Sequence, residues 1–398
     1  MNTRIIDTYS KNGAHEAFNA PVVSMAASFS DTVDYFCDKT TQDAVIKMLT
    51  NHNQQRCLQK VTFHNVNVKE GGKRKGIFYM LYMYSVRLFK DVYYLLSAPK
   101  NTLTVYSGAG YATALWILNC VSFIFRKRVW IFIHGELEFM LKTPSKNKRF
   151  SEIGMLYRRV LYRGFLRYVR INKNMRLCVL GNSILNNLQP YLNSKNKKRV
   201  TSINDPIFFN ERKSSIRYNE KLKIGTVGTM DNGKGLAELL DVAEKLKDEI
   251  TITIVGNIKE LDFNYALYSH INFISKNNKQ FIPRDVMDKA IDKLDYILFL
   301  YPPDSYKLIA SGAMFDAIIM EKPVISLHND FFDDILKPDI GYLLNTAGEI
   351  AALIRKLNKE YPHNPDYEKF LNNMEEIKSR HTPAFVQEMW KANLETWN

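Results

Sequence analysis

The chain has 398 residues, 46% of them hydrophobic and 24% charged, with a formal net charge of +14. That length accommodates two domains of ordinary size, and the balance is that of a globular protein rather than a disordered or fibrous chain. The four cysteines, Cys37, Cys57, Cys120 and Cys178, form no C-x-x-C pair, so a disulfide framework and a zinc cluster are not expected and a reducing cytoplasm is the expected setting.

The N-terminus, Met1–Asp7, lacks the layout of a signal peptide, and no clear pattern emerges before about Asn19. Strands are expected at Val22–Ala26, Val61–Val66, Leu103–Tyr106, Val129–Ile133 and Leu177–Leu180, with helical stretches between them. Lys73-Arg74-Lys75 leads into Ile77–Tyr84, a helix apolar nearly all round and rich in aromatic residues. The longest apolar stretch, Ala112–Phe125, contains Asn119 and is shorter than the roughly 20 residues of a membrane span. It reads as a buried helix. Tyr157–Arg170 places Arg159, Arg163, Arg167 and Arg170 on one helical face. Residues 1–205 hold 31 Lys and Arg against 12 Asp and Glu, whereas residues 206–398 hold 24 against 29. The positive field therefore belongs to the first half, which suggests an anionic membrane or a nucleic acid as its partner.

Two turns of the first half carry polar groups at strand ends. Tyr106-Ser107-Gly108-Ala109-Gly110-Tyr111 is a small-residue strand-to-helix turn, and Trp130–Glu138 is an apolar strand ending in His134, Gly135, Glu136 and Glu138. One of the two acids alternatively caps the next helix. Thr201–Arg212, with Asp205-Pro206, reads as a linker because proline breaks the helical pattern.

The second half alternates regularly. Strands are expected at Leu222–Val227, Ile250–Val255, Ile271–Ile274, Tyr296–Tyr301 and Pro323–Leu327, with helices at Leu236–Leu246, Arg284–Lys293 and Ser311–Ile319. This pattern gives a parallel sheet covered by helices, with ligands beyond the carboxyl ends of the strands. Two turns lie there. In Lys223–Gly235, Gly228 and Gly235 flank a turn that carries Lys234; in Leu294–Asp316, Ser311 stands as N-cap before Gly312 and Ala313, with Glu321–Ile325 downstream. Free backbone N–H groups and helix dipoles make both turns anion seats, and two of them suit a diphosphate. Pro383–Trp397 closes the chain as an amphipathic helix with Phe385, Met389, Trp390, Leu394 and Trp397 on one side.

The glycine turn with its Lys-Gly pair, followed by a helix ending in Lys322-Pro-Val-Ile325, resembles the C-terminal domain of GT-B-fold glycosyltransferases. The resemblance implies an α/β fold of two Rossmann-like domains facing a cleft: residues 1–205 bind acceptor and face a membrane, 206–382 bind nucleotide-sugar, and 383–398 cross back to the first domain. It implies donor contacts from Gly228, Thr229, Lys234, Gly235, Lys307, Ser311, Gly312 and Asp316. Lys234 would neutralise the departing diphosphate. Thr229 stands where many relatives carry arginine, so the second cation is either missing or supplied from elsewhere, with Lys307 and Arg284 as candidates. Asp316 matches the ribose-binding second acid of the E-x7-E motif, while the first position falls on Leu308, which favours inversion over retention. Glu136 would be the general base with His134 orienting substrate or serving as base itself, and Ser107, Gly108 and Glu138 would lie on the acceptor side. No metal and no cofactor are expected. The implied activity is hexosyl transfer from a nucleotide-sugar to a lipid-linked or soluble glycan during cell-surface polysaccharide synthesis, by a cytoplasmic protein peripheral on the inner face of the membrane. The alternatives are a nucleic-acid-binding protein using the basic half, or a nucleotide-sugar epimerase of the same fold.

Overall fold

The computed structural model describes residues 1–11, 15–67, 77–108, 112–141, 149–209, 219–260, 262–277 and 282–397. The chain divides into two compact units. The first comprises Met1–Phe208, Leu308–Ala310 and His381–Asn398; the second comprises Phe209–Lys307 and Ser311–Arg380. Gly110 and Lys73-Arg74-Lys75, singled out in the sequence, lie outside the described residues.

The first unit is built on β1 (Thr3–Ile6), β2 (Val33–Cys37), β3 (Val61–Asn65), β4 (Leu103–Tyr106), β5 (Arg128–Ile133), β6 (Met175–Leu180) and β7 (Val200–Ile203). All neighbours pair parallel, in the order β3-β2-β1-β4-β5-β6-β7. Its helices are α1 (Glu16–Phe29), α2 (Lys39–Asn51), α3 (Ile77–Leu96), α4 (Ala112–Ile124), α5 (Arg149–Tyr168) and α6 (Asn182–Leu188). Alternation along β5 shows how the sheet is covered. Val129, Ile131 and Ile133 join a core with residues of α3, α4 and α5, while Trp130 and Phe132 join another with residues of α1 and α2.

The second unit carries β8 (Ile224–Val227), β9 (Ile252–Val255), β10 (Asn272–Phe273), β11 (Tyr296–Phe299), β12 (Val324–Leu327) and β13 (Gly341–Leu344), all parallel in the order β10-β9-β8-β11-β12-β13. Its helices are α7 (Leu236–Lys245), α8 (Arg284–Asp292), α9 (Gly312–Ile319), α10 (Asp330–Ile335), α11 (Ala347–Glu360) and α12 (Pro365–His381). In both sheets the strand order reverses between the first strand and a later one, β1/β4 and β8/β11. Such switch points open a crevice at the strands' carboxyl ends.

Several sequence expectations change here. Val22–Ala26 lies inside α1, not in a strand, because an apolar run buried on several sides has no period to separate strand from helix. Thr201–Ile203 belongs to β7, so the linker reading of Thr201–Arg212 fails over its first residues. The strands β1, β2 and β13 are additions. The final helix, α13 (Pro383–Glu395), is capped by Thr382 and buries Val386, Trp390, Leu394 and, just beyond it, Trp397 in the first unit's core. Phe385, expected on that side, is 48% exposed; the buried stripe starts one residue later.

Candidate functional site

In the second unit both anion turns lie at the β8/β11 switch point. Gly228 follows β8 with φ 94°, a conformation L side chains rarely adopt. A Cβ there would stand 3.1 Å from the Lys234 Nζ and 3.5 Å from the Ala313 Cβ, so the first turn, the lysine and the start of α9 converge on one point. Gly235 has φ 74°, and a Cβ on it would fall 1.8 Å from the Leu300 carbonyl oxygen. Only glycine lets this turn close against the end of β11.

The Lys234 ammonium lies 5.8 Å from the Tyr301 ring centroid and 5.9 Å from that of Tyr306. Burial pushes its pKa down, with Asp231 and Asp316 opposing that at longer range. Among the described residues it makes no ion pair. A desolvated cation held by two aromatic faces is costly unless an anion completes it.

Ser311 occupies the N-cap of α9 as expected, but its hydroxyl does not cap the helix. It bonds the Tyr301 hydroxyl at 3.0 Å, which fixes Tyr301 beneath Lys234. The space beside the Gly312 Cα is open for 4 Å. Asp316 receives the Arg284 Nη1 at 2.7 Å, and Arg284 also binds Asp288 at 2.7 Å. Burial raises the Asp316 carboxyl while the Arg284 charge pulls it back. Arg284 is thus committed to two carboxylates. Lys307 lies 3.5 Å from Asp330, and Thr229 is exposed.

In the first unit the predicted residues gather at the β4 and β5 ends, beside the β1/β4 switch. The His134 Nε2 donates to the Ser107 carbonyl oxygen at 2.6 Å, so the neutral ring has its lone pair on Nδ1. Its ring meets Phe18 edge-on at 4.1 Å and His15 at 5.3 Å. Burial, then the neighbouring His15, push its pKa down to about 3. So weak a base is suited to orienting, and the role of base for His134 loses its support. The Glu136 Oε2 accepts the N–H groups of His134 at 2.8 Å and Gly135 at 3.0 Å, while a Cβ on Gly108 would come within 3.2 Å of Oε1.

Glu138 is elsewhere. It is 5% exposed, and its Oε2 accepts the Leu308 N–H at 2.8 Å. Beside it a Cβ on Gly135 would fall 2.3 Å from Ile309 Cδ1. The acid and the glycine grip the Leu308–Ala310 segment, so Glu138 holds backbone rather than lining an acceptor surface. Leu308 itself is 1% exposed in the core. Arg163, placed by periodicity on a free basic face, instead donates to the Met140 carbonyl at 2.8 Å and covers Tyr191.

Sequence reading missed Tyr9 and His15, which sit in the segment after β1. Their rings lie 5.8 Å apart, and Arg87 covers Tyr9 at 5.8 Å. Tyr9 is 45% exposed; desolvation of its hydroxyl end, then the nearby Glu136 charge, raise its pKa. A strand at Thr3–Ile6 would have flagged them, but four residues give too little alternation to detect.

No family model and no curated protein matches the sequence. Solved structures do resemble the fold. HepE of Anabaena, solved with UDP-glucose, superposes with a TM-score of 0.63 at 14% identity, over 100% of both chains. TarM of S. aureus, solved with fondaparinux, alpha-GlcNAc-glycerol and UDP, gives 0.60 at 12% identity over 98% of this chain and 99% of its own. A glycosyltransferase of Rickettsia africae gives 0.60 at 13% identity over 100% and 97%. Two parallel, doubly wound sheets of seven and six strands, with the last helix returned to the first unit, give this chain the GT-B fold.

Proposed function

We propose that the protein transfers a sugar from a nucleoside diphosphate donor to a hydroxyl of a glycan acceptor. One observation carries this reading: the half-buried Lys234 ammonium, with no carboxylate ion pair among the described residues, stands where the Gly228 turn meets the start of α9. A diphosphate placed there would receive the lysine charge and the free amides of the helix start. The neighbouring folds point the same way, since HepE was solved with UDP-glucose and TarM with UDP.

On this reading Gly228, Gly235, Ser311 and Gly312 shape the phosphate seat, and Thr229 and Lys307 flank it. Asp316, steadied by Arg284, accepts ribose hydroxyls. The leaving diphosphate departs against Lys234, which supports hexosyl transfer without a metal. Glu136 takes the proton of the attacking hydroxyl in a single inverting displacement, while His134 and Ser107 hold the loop around it. Gly108 borders the acceptor, and Glu138 acts only through the Leu308–Ala310 segment. The acceptor is a lipid-linked glycan of cell-surface polysaccharide synthesis, met at the inner face of the membrane through the basic first unit.

Calorimetric titration with UDP and UDP-glucose, followed by turnover with a panel of nucleotide-sugars and glycan acceptors, tests the reading. Micromolar UDP binding that Lys234→Ala weakens at least tenfold is expected. Absence of binding by every nucleoside diphosphate would overturn it, and isomerised sugar released without acceptor would move it to the epimerase class.

A further inference from the structure

The second unit has a groove that the proposed chemistry does not use. Its volume is about 780 Å³, within the range of about 300–1,000 Å³ typical of ligand sites. It is formed by the entries to β8 and β9, the residues of β10, and one flank of α8. Since the strands are parallel, the entries to β8 and β9 lie at the edge of the sheet away from Gly228 and Ser311. The edge strand β10 is two residues long and is reached through a short 3-10 turn at Tyr265–Tyr268. Among the described residues no full helix precedes it.

Five lysines line this groove: Lys221 and Lys223 before β8, Lys247 after α7, Lys289 on α8 and Lys293 just after it. Lys247 is paired with Glu244 at 2.6 Å; the other four make no ion pair among the described residues. Of the two acids present, Glu249 is bound by Arg355 at 2.6 Å. The floor combines Ile250 and Ile274 with polar groups, including Asn272, whose amide donates to the Thr253 hydroxyl at 3.3 Å. Among the described lining residues there is no aromatic ring on which a base could stack and no arginine for a forked phosphate contact. Point charges around a mixed aliphatic and hydroxyl-binding floor match sugar rings that bear acidic groups.

We propose that this groove is a second carbohydrate site, which binds an oligosaccharide with carboxylate, phosphate or sulfate substituents apart from the nucleotide seat. The charge and shape stand by themselves; the choice of a glycan rests on the sugar-transfer reading. Such a site would retain an acidic polymer on the protein between successive transfers.

The test uses the full chain, with tetragalacturonic acid as probe and neutral maltotetraose and sodium tripolyphosphate as controls, titrated by calorimetry. Tetragalacturonic acid is expected to bind, and the Lys221→Glu, Lys289→Glu, Lys293→Glu variant to bind it at least tenfold more weakly with UDP affinity unchanged. Equal binding by the variant, no binding of the acidic probe, or equal affinity for tripolyphosphate would overturn the proposal. Loss of UDP affinity in the variant would also count against a separate site. UDP binding and acidic-glycan binding are independent readouts, so a chain that binds the probe but no nucleotide refutes the transferase reading and leaves the groove standing.

Discussion

At the scale of single residues, buried charge and backbone contact give the sharpest expectations. Lys234→Ala removes the cation that stands at the meeting of the two turns, and UDP affinity should fall about 10- to 100-fold, or about 1.4–2.8 kcal/mol. The fold should survive, because the lysine makes no ion pair that holds it. Glu138→Ala leaves the Leu308 N–H without its acceptor, and denaturant unfolding should show a loss of about 1–3 kcal/mol. Donor binding unchanged with stability unchanged would refute that role. His134 is held at about 3 by burial, whereas an unfolded histidine titrates near about 6.5. The unfolded chain therefore takes up a proton that the folded chain refuses, and stability is lost as pH falls from about 6.5 towards 3. His134→Gln removes this contribution, so its urea midpoint should drop less between pH 7 and 4.5 than that of the parent. Parallel curves would contradict it. Gly228 and Gly235 were legible in the sequence because each has a conformational task tied to its type. Ser311 was legible as a cap position only, since nothing local reveals a hydroxyl ten residues upstream.

At the scale of elements, α13 shows how much one amphipathic stripe can do. Trp390 is 0% exposed and meets Phe29 at 5.0 Å, Phe132 at 5.2 Å and Trp130 at 5.9 Å. Trp390→Ala should cost about 3–5 kcal/mol, read as a lowered thermal midpoint; a shift near zero would mean the helix is dispensable. Trp397 adds a second hold, covered by Arg128 and Arg176 at 4.9 Å each, with its indole N–H on the Lys173 carbonyl. The second unit was readable as far as β12 because its strands are bounded by helices with clear 3.6-residue periods, such as α7 and α8. The first was harder. In α1 nine residues are buried, Pro21 among them, so the helix shows no polar face to betray its period.

At the scale of the whole molecule, the basic first unit also carries an apolar exterior. Phe78 and Phe89 of α3 are 85% and 74% exposed, Phe123 and Ile124 of α4 are 61% and 67%, and Tyr168 of α5 is 80%. These helices cover the same side of the sheet, and Arg126, Lys127 and Arg128 follow α4. On the proposed membrane reading, these exposed aromatic residues and the exposed Arg126 would meet the lipid. No helix among the described residues is long and apolar enough to cross a membrane. The protein should co-sediment with vesicles rich in phosphatidylglycerol at low salt, and Phe123→Ser, Ile124→Ser, Phe125→Ser should reduce that binding severalfold; equal sedimentation with neutral vesicles would refute an electrostatic share.

The return of Leu308–Ala310 and His381–Asn398 to the first unit has a consequence for synthesis. Residues 1–208 are made before the second unit, yet their hydrophobic interior lacks Trp390 and Trp397 until residues 383–397 have been added. The first unit can therefore finish folding only after the second has been synthesised, and a fragment ending at Phe208 would expose the surface that Trp390 and Trp397 cover.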